Sequence, residues 1–259
     1  MRLLGRLGLV STRGSLTRRG RIVVGTAVLL LLAGSVVIFT RMLSGPACTV
    51  TAGGRTVDLS SDQAEAVTTA LAPQVRPSGP AAKTLVHRAA PGLAPDDAAL
   101  VAKAVTGRLH AALSCRSGGA GTSEPDTLDS RGLTARAERV RQDVLKRFGD
   151  LPLGGYAPGG VHTGHMPGSA HYEGRAVDTF FRPITAANKN RGWQLAQYLV
   201  ANASRLAIET VIFDDRIWTA SRGRDGWRHY VVPDPQNAHN AAERAILEHR
   251  DHVHYDVTD

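Results

Sequence analysis

Ser169-Ala170-His171-Tyr172-Glu173-Gly174-Arg175-Ala176-Val177-Asp178, taken with Asp251-His252-Val253-His254 near the C-terminus, decides how the second half of this chain folds. An imidazole and a carboxylate seven residues apart cannot share one helical turn, so the backbone must reverse between His171 and Asp178. Gly174 permits that reversal, and Ala176 leaves room for close backbone packing. The alternation over 175–182 predicts a strand that carries Asp178. His252 and His254 lie two apart on another predicted strand, 252–257, so both rings face the same side. His, Asp and His form a donor set for Zn2+, and three protein ligands leave the open position that a catalytic zinc requires.

Outward from these segments, 134–148 predicts a helix with Ala137, Val140, Val144 and Phe148 as its apolar stripe. A Gly-rich loop, 154–168, follows, and its His162 and His165 read as loop surface. A second helix is expected near 191–203 and a strand over 210–218. The partner of that strand is 226–232, reached across Arg222-Gly-Arg-Asp-Gly226. Trp218, Trp227, Tyr230 and Tyr255 read as sheet core. The polar insertion 233–250 precedes the last strand, with His249 capping its helix and the whole insertion a candidate lid. Helices beside a small antiparallel sheet make an α+β domain over 131–259.

The pattern S-x-H-x-x-G-x-A-x-D followed downstream by H-x-H resembles the zinc peptidases of the D-alanyl-D-alanine carboxypeptidase, VanX and murein endopeptidase group, whose metal scaffold also occurs in hedgehog signalling domains. The resemblance covers roughly the last hundred residues. It implies that His171, Asp178 and His254 bind zinc and that Ser169 orients a ligand carboxylate or the loop. It also implies that His252 moves protons for the nucleophilic water. Other members use an acid three residues before the last ligand, a place that Asp251 holds here, so the base is His252 or Asp251. Carboxypeptidase members carry an Arg in a Tyr-Arg-Ser context to clamp the substrate carboxylate. This chain has Ala157 after Tyr156, which favours an endopeptidase acting on peptidoglycan stem peptides or cross-links. The stretch 249–256 also resembles C-terminal domains of exported actinobacterial proteins. The rival reading is an inactive, metal-containing module that binds cell-wall peptides or a protein, and a third is metal sequestration.

The N-terminus sets the compartment. Ile22 to Phe39 is eighteen residues without a charge, about enough to span a ~30 Å hydrocarbon core. Arginines crowd before it and the first acid is Asp58, so residues 1–21 are expected in the cytoplasm, 22–43 as a single-pass transmembrane anchor, and the rest outside. A cleaved signal peptide is the competing reading. The formal charge of +8 is concentrated in this tail, where residues 1–41 hold seven Arg and no acid. The exported part is near neutral, so nucleic-acid binding has no support, and one helix makes no transport path.

Two cysteines, Cys48 and Cys115, allow one intramolecular pairing that an oxidising compartment favours; two buried thiols are the alternative. Between them, Ser60-Ser-Asp-Gln63 signs a capping box, and a second helix is expected from Pro95 to Ala112, with 76–95 read as loop. Residues 44–118 are therefore expected to be a small disulfide-tied helical module, and 119–130 a flexible linker to the zinc domain.

Overall fold

In the computed structural model, which describes residues 47–73, 80–116, 124–232 and 240–259, the first cysteine opens a strand. Strands β1 (Cys48–Ala52) and β2 (Arg55–Leu59) pair antiparallel around Gly53-Gly54, and β3 (Leu113–Cys115) lies on the other edge of β1. The register sets Cys48 opposite Cys115, and the two form a disulfide. Helix α1 (Ser61–Ala70) begins with the expected capping box, Ser60 and Gln63 each bonding the other's backbone N–H. Helices α2 (Pro80–Ala89) and α3 (Pro95–Val105) complete this part.

It is thus not helical throughout. Val50, Val57 and Leu59 alternate inward on the strands and share a core with Val67, Val86 and Val101. Part of the stretch read as loop is α2, because a proline at the first helical position gives up an N–H that has no partner there anyway. Helix α3 stops at Val105 instead of reaching Ala112, and the Thr106 hydroxyl donates to the Ala102 carbonyl at 2.6 Å.

Helix α4 (Ala135–Phe148) is capped by Thr134 and buries the stripe Ala137, Val140, Val144 and Phe148. Arg136, also buried, pairs with Asp126 and donates to the Glu124 carbonyl at 2.7 Å, while Arg139 holds the Glu124 carboxylate. Those contacts pin the second half of the expected linker against the helix. There follow β4 (Leu153–Gly154), β5 (Ala176–Phe180), α5 (Ala186–Ala201), α6 (Ala203–Leu206), β6 (Ile208–Phe213), β7 (Arg216–Thr219), β8 (Arg228–His229), α7 (Ala241–Leu247) and β9 (His252–Val257).

The six strands order as β4-β5-β9-β6-β7-β8, every neighbouring pair antiparallel. The expected single strand 210–218 is instead a hairpin. It reverses at Asp214-Asp215, both at positive φ (48° and 66°), a conformation that short polar side chains tolerate. The architecture is α+β, antiparallel sheets with flanking helices.

Residues 46–259 make one compact unit, so the segment read as linker does not separate two bodies. The buried Gln197 of α5 is the latch. Its Oε1 accepts from the Ala112 and Leu113 N–H groups at 3.1 and 2.7 Å, and its Nε2 donates to the Ala104 and Leu109 carbonyls at 2.7 and 3.1 Å. The indoles of Trp218 and Trp227 add bonds to the carbonyls of Cys115 and Leu113. Replacing Gln197 by Leu leaves two buried N–H groups without an acceptor. At about 1–3 kcal/mol each, a loss of about 2–6 kcal/mol is expected. A urea midpoint equal to wild type would refute this latch.

Among the described residues no helix is long and apolar enough to cross a membrane. The expected basic tail, 1–21, and anchor, 22–43, lie outside the described residues, as do 119–123 of the linker and 233–239 of the insertion.

Candidate metal centre

Strands β5 and β9 are neighbours, and their register sets Asp178 directly opposite His254 and Phe180 opposite His252. Facing residues on paired strands project to the same side of a sheet, so the carboxylate and both imidazoles share one face. His171 arrives from a 3-10 turn, Ala170–Glu173, closed by Gly174 at φ 67°. Ser169 caps that turn, its hydroxyl accepting from the His171 N–H at 3.4 Å, so its contact is with the loop and not with the ligand carboxylate.

His171, Asp178 and His254 are all buried and offer ligand atoms within 4.8 Å of one another. The closest approaches are shorter: His171 Nε2 to His254 Nδ1 is 3.0 Å, His254 Nδ1 to Asp178 Oδ1 3.1 Å, and His171 Nε2 to Asp178 Oδ1 3.3 Å. Bonds of about 2.0–2.1 Å at tetrahedral angles would place ligand atoms about 3.3–3.4 Å apart. The three atoms therefore form a triangle of the size that one small divalent ion needs, and the group can hold a metal ion.

The surroundings fix the ligands' protons. His171 Nδ1 donates to the Gly155 carbonyl at 2.7 Å, which leaves Nε2 free to coordinate. Gly155 sits at φ 81°, and a Cβ there would come within 2.3 Å of the His171 ring, so only glycine brings that carbonyl so near. His254 Nε2 lies 3.5 Å from the Asp256 carboxylate, a partner for its other nitrogen. Burial favours a neutral Asp178, yet the neighbouring His171 and His254 rings overcome it and hold the carboxyl well below the usual range. For His254 burial favours the neutral ring, and the carboxylates of Asp178 and Asp256 outweigh it, raising the ring to about 9 without a metal.

One pleat away on β9, His252 Nδ1 bonds Asp251 Oδ1 at 2.7 Å, and Asp251 Oδ2 accepts from Arg182 Nε at 2.6 Å. Asp251 is buried, and bonds from His252 and Arg182 keep it ionised against the pull of burial. Simple alternation turns Asp251 away from the metal face. It lies just before the strand, however, with its carbonyl bonded to the Phe181 N–H, and its side chain folds onto the neighbouring ring. Its carboxylate thus bridges the His252 ring and the Arg182 guanidinium.

Two histidines read as peripheral belong to this centre. His165 stacks on His171, ring centroids 4.0 Å apart, with the Tyr172 hydroxyl bonded to its backbone N–H and carbonyl. His249 does close the α7 segment, its Nδ1 donating to the Leu247 carbonyl at 2.9 Å, but its ring also lies 4.6 Å from His252 and 5.6 Å from His254. Burial, then the neighbouring His254 and His252, push it down to about 3. Tyr230 packs edge-on against it and so sits beside the site and not in the sheet core. His162 stays exposed. Half of the chain's ten histidines thus converge here, and their clustering around two short segments is the signal that could have identified His165 and His249.

A family model described as VldE, C-terminal domain, matches residues 129–241, fewer than half of the chain's 259. The matched stretch is similar to that family and includes His171 and Asp178 but ends before His249. No curated protein and no solved structure matches.

Proposed function

We propose that this protein is a membrane-anchored, extracytoplasmic zinc-dependent peptidase of the carboxypeptidase–VanX–murein endopeptidase type, hydrolysing peptidoglycan stem peptides or cross-links. The observation that carries the reading is the His171–Asp178–His254 triangle with an oriented imidazole, His252, one pleat away. Two imidazoles and one carboxylate suit zinc better than calcium or magnesium, which want a shell of oxygens. When bound, zinc supplies Lewis acidity toward the scissile carbonyl and acidifies a water.

The chain's own groups do the rest. Asp251 accepts the Nδ1 proton of His252 and so keeps Nε2 unprotonated as the base. His252 takes the proton from the attacking water and returns it to the leaving amine. Arg182 holds Asp251 in place. With Ala157 where a carboxylate clamp would stand, cleavage inside a peptide is the favoured mode. The apolar run Ile22 to Phe39 and the Cys48–Cys115 disulfide both support an oxidising compartment outside the membrane.

Full-length protein in detergent, incubated with muropeptides with and without a chelator, is the test. Peptide-bond cleavage that chelator stops and zinc restores is expected. Chelator-insensitive cleavage, or zinc-loaded protein that cuts no stem peptide, rejects the hydrolytic reading, and zinc-dependent binding of those peptides without cleavage would favour the inactive module.

A further inference from the structure

Past the metal centre, the end of β5 and the helix α5 bring arginines to the edge of the sheet. The Arg182 guanidinium lies 4.4 Å over the Phe180 ring, which itself packs near His252, and its side chain is 56% exposed. It opens onto a cavity of about 370 Å3 bordered by Phe180, Arg182, Asn188 and Arg191. Arg191 also borders a second cavity of about 450 Å3, lined in addition by Arg108 and Gln194, and so stands between the two. Asp150 is the one carboxylate in either lining. Arg108 and Arg191 are exposed and make no ion pair among the described residues, and Arg191 is steadied 5.7 Å from the Phe181 ring.

A concave surface lined by cations of one sign focuses a positive potential, and a planar guanidinium accepts a carboxylate through two parallel bonds. Arg182 spends Nε on Asp251 and keeps its other nitrogens for a ligand. We infer that this arginine-lined groove receives the carboxylates of an acidic peptide, Arg182 taking the one nearer the metal centre and Arg191 with Arg108 the one further out. The inference names the substrate class for the peptidase reading and rests on it for direction. It also places the anionic clamp, absent at Ala157, on the far side of His252.

Binding separates the two ideas. A fluorescently labelled wall-stem tetrapeptide with both carboxylates free, and its bis-amide, are titrated by anisotropy into the full-length, zinc-loaded chain. The free acid is expected to bind about tenfold or more tightly than the amide, a preference that shrinks as salt is added. In the Arg108→Ala/Arg191→Ala variant the preference should fall to about twofold or less, with an unchanged thermal midpoint. Arg191→Glu alone, which needs no double change, should weaken the acid and spare the amide. Equal binding of acid and amide by wild type, or a preference that survives both variants, overturns the groove. Tight discrimination without hydrolysis leaves the groove standing and removes the peptidase; hydrolysis without discrimination does the reverse.

Discussion

Replacing Asp178 by Ala is expected to lower metal affinity by more than about a hundredfold, since losing even an outer partner of a metal ligand costs about 10–100-fold. The change removes the only anionic ligand and leaves two buried imidazoles side by side, 3.0 Å apart at their nearest nitrogens. Metal content after dialysis and calorimetric titration give the readout, and a variant that still retains stoichiometric metal would sink the site. Wild type carries a second signature in the same experiment. Without a metal, His254 has its pKa raised to about 9 from an ordinary value near 6.5, so at neutral pH the ring is protonated and must release a proton to coordinate. Apparent affinity should therefore climb by about tenfold per pH unit between about 6.5 and 9 and then level. The ionisation enthalpy of the buffer should appear in the measured heat within that window and not above it. By the same sign, the stabilisation that protonated His254 gives the metal-free fold is complete below about 6.5 and is lost as pH rises through about 9.

His252→Ala should separate chemistry from binding. The ring is hydrogen-bonded to Asp251 and is not one of the three converging groups, so metal content should stay near one per chain. Turnover of a cleavable stem peptide should fall by about 10²–10⁴-fold, the usual contribution of a positioned general base. The loss should lie in kcat, with KM little changed, because the imidazole acts on the proton and not on the peptide's side chains. Retained turnover in this variant would move the base to Asp251, whose carboxylate bonds the same ring at 2.7 Å.

How far these features can be read from sequence depends on the range of the contacts that make them. His171 and Asp178 are legible through local rules, a glycine-closed turn and period-two alternation, while alternation sets His252 and His254 on one side and only the resemblance singles out His254. The stripe of α4 and the capping box of α1 are local in the same sense. The direction of the Asp251 side chain is not legible, because it stands one residue before the strand begins and folds sideways onto His252. The hairpin at Asp214-Asp215 is missed because its turn carries no glycine, and two aspartates look as polar as the strand edge around them. The docking of the disulfide part on α5 is invisible to any local pattern. Gln197 reaches partners 84 to 93 positions away, and its trace in the sequence is an amide set among Leu195, Ala196, Tyr198 and Leu199 on the buried side of a helix that carries other amides as well.

The direct pairing of Asp178 with His254 would make any ion held there an inspector of strand alignment. If β9 slid along β5 by a single residue, the imidazoles of 252 and 254 would swing to the opposite surface of the sheet, and Val253 would stand where a ligand belongs. No misaligned chain can then assemble the binding triangle. Metal uptake would report on correctly zipped molecules alone.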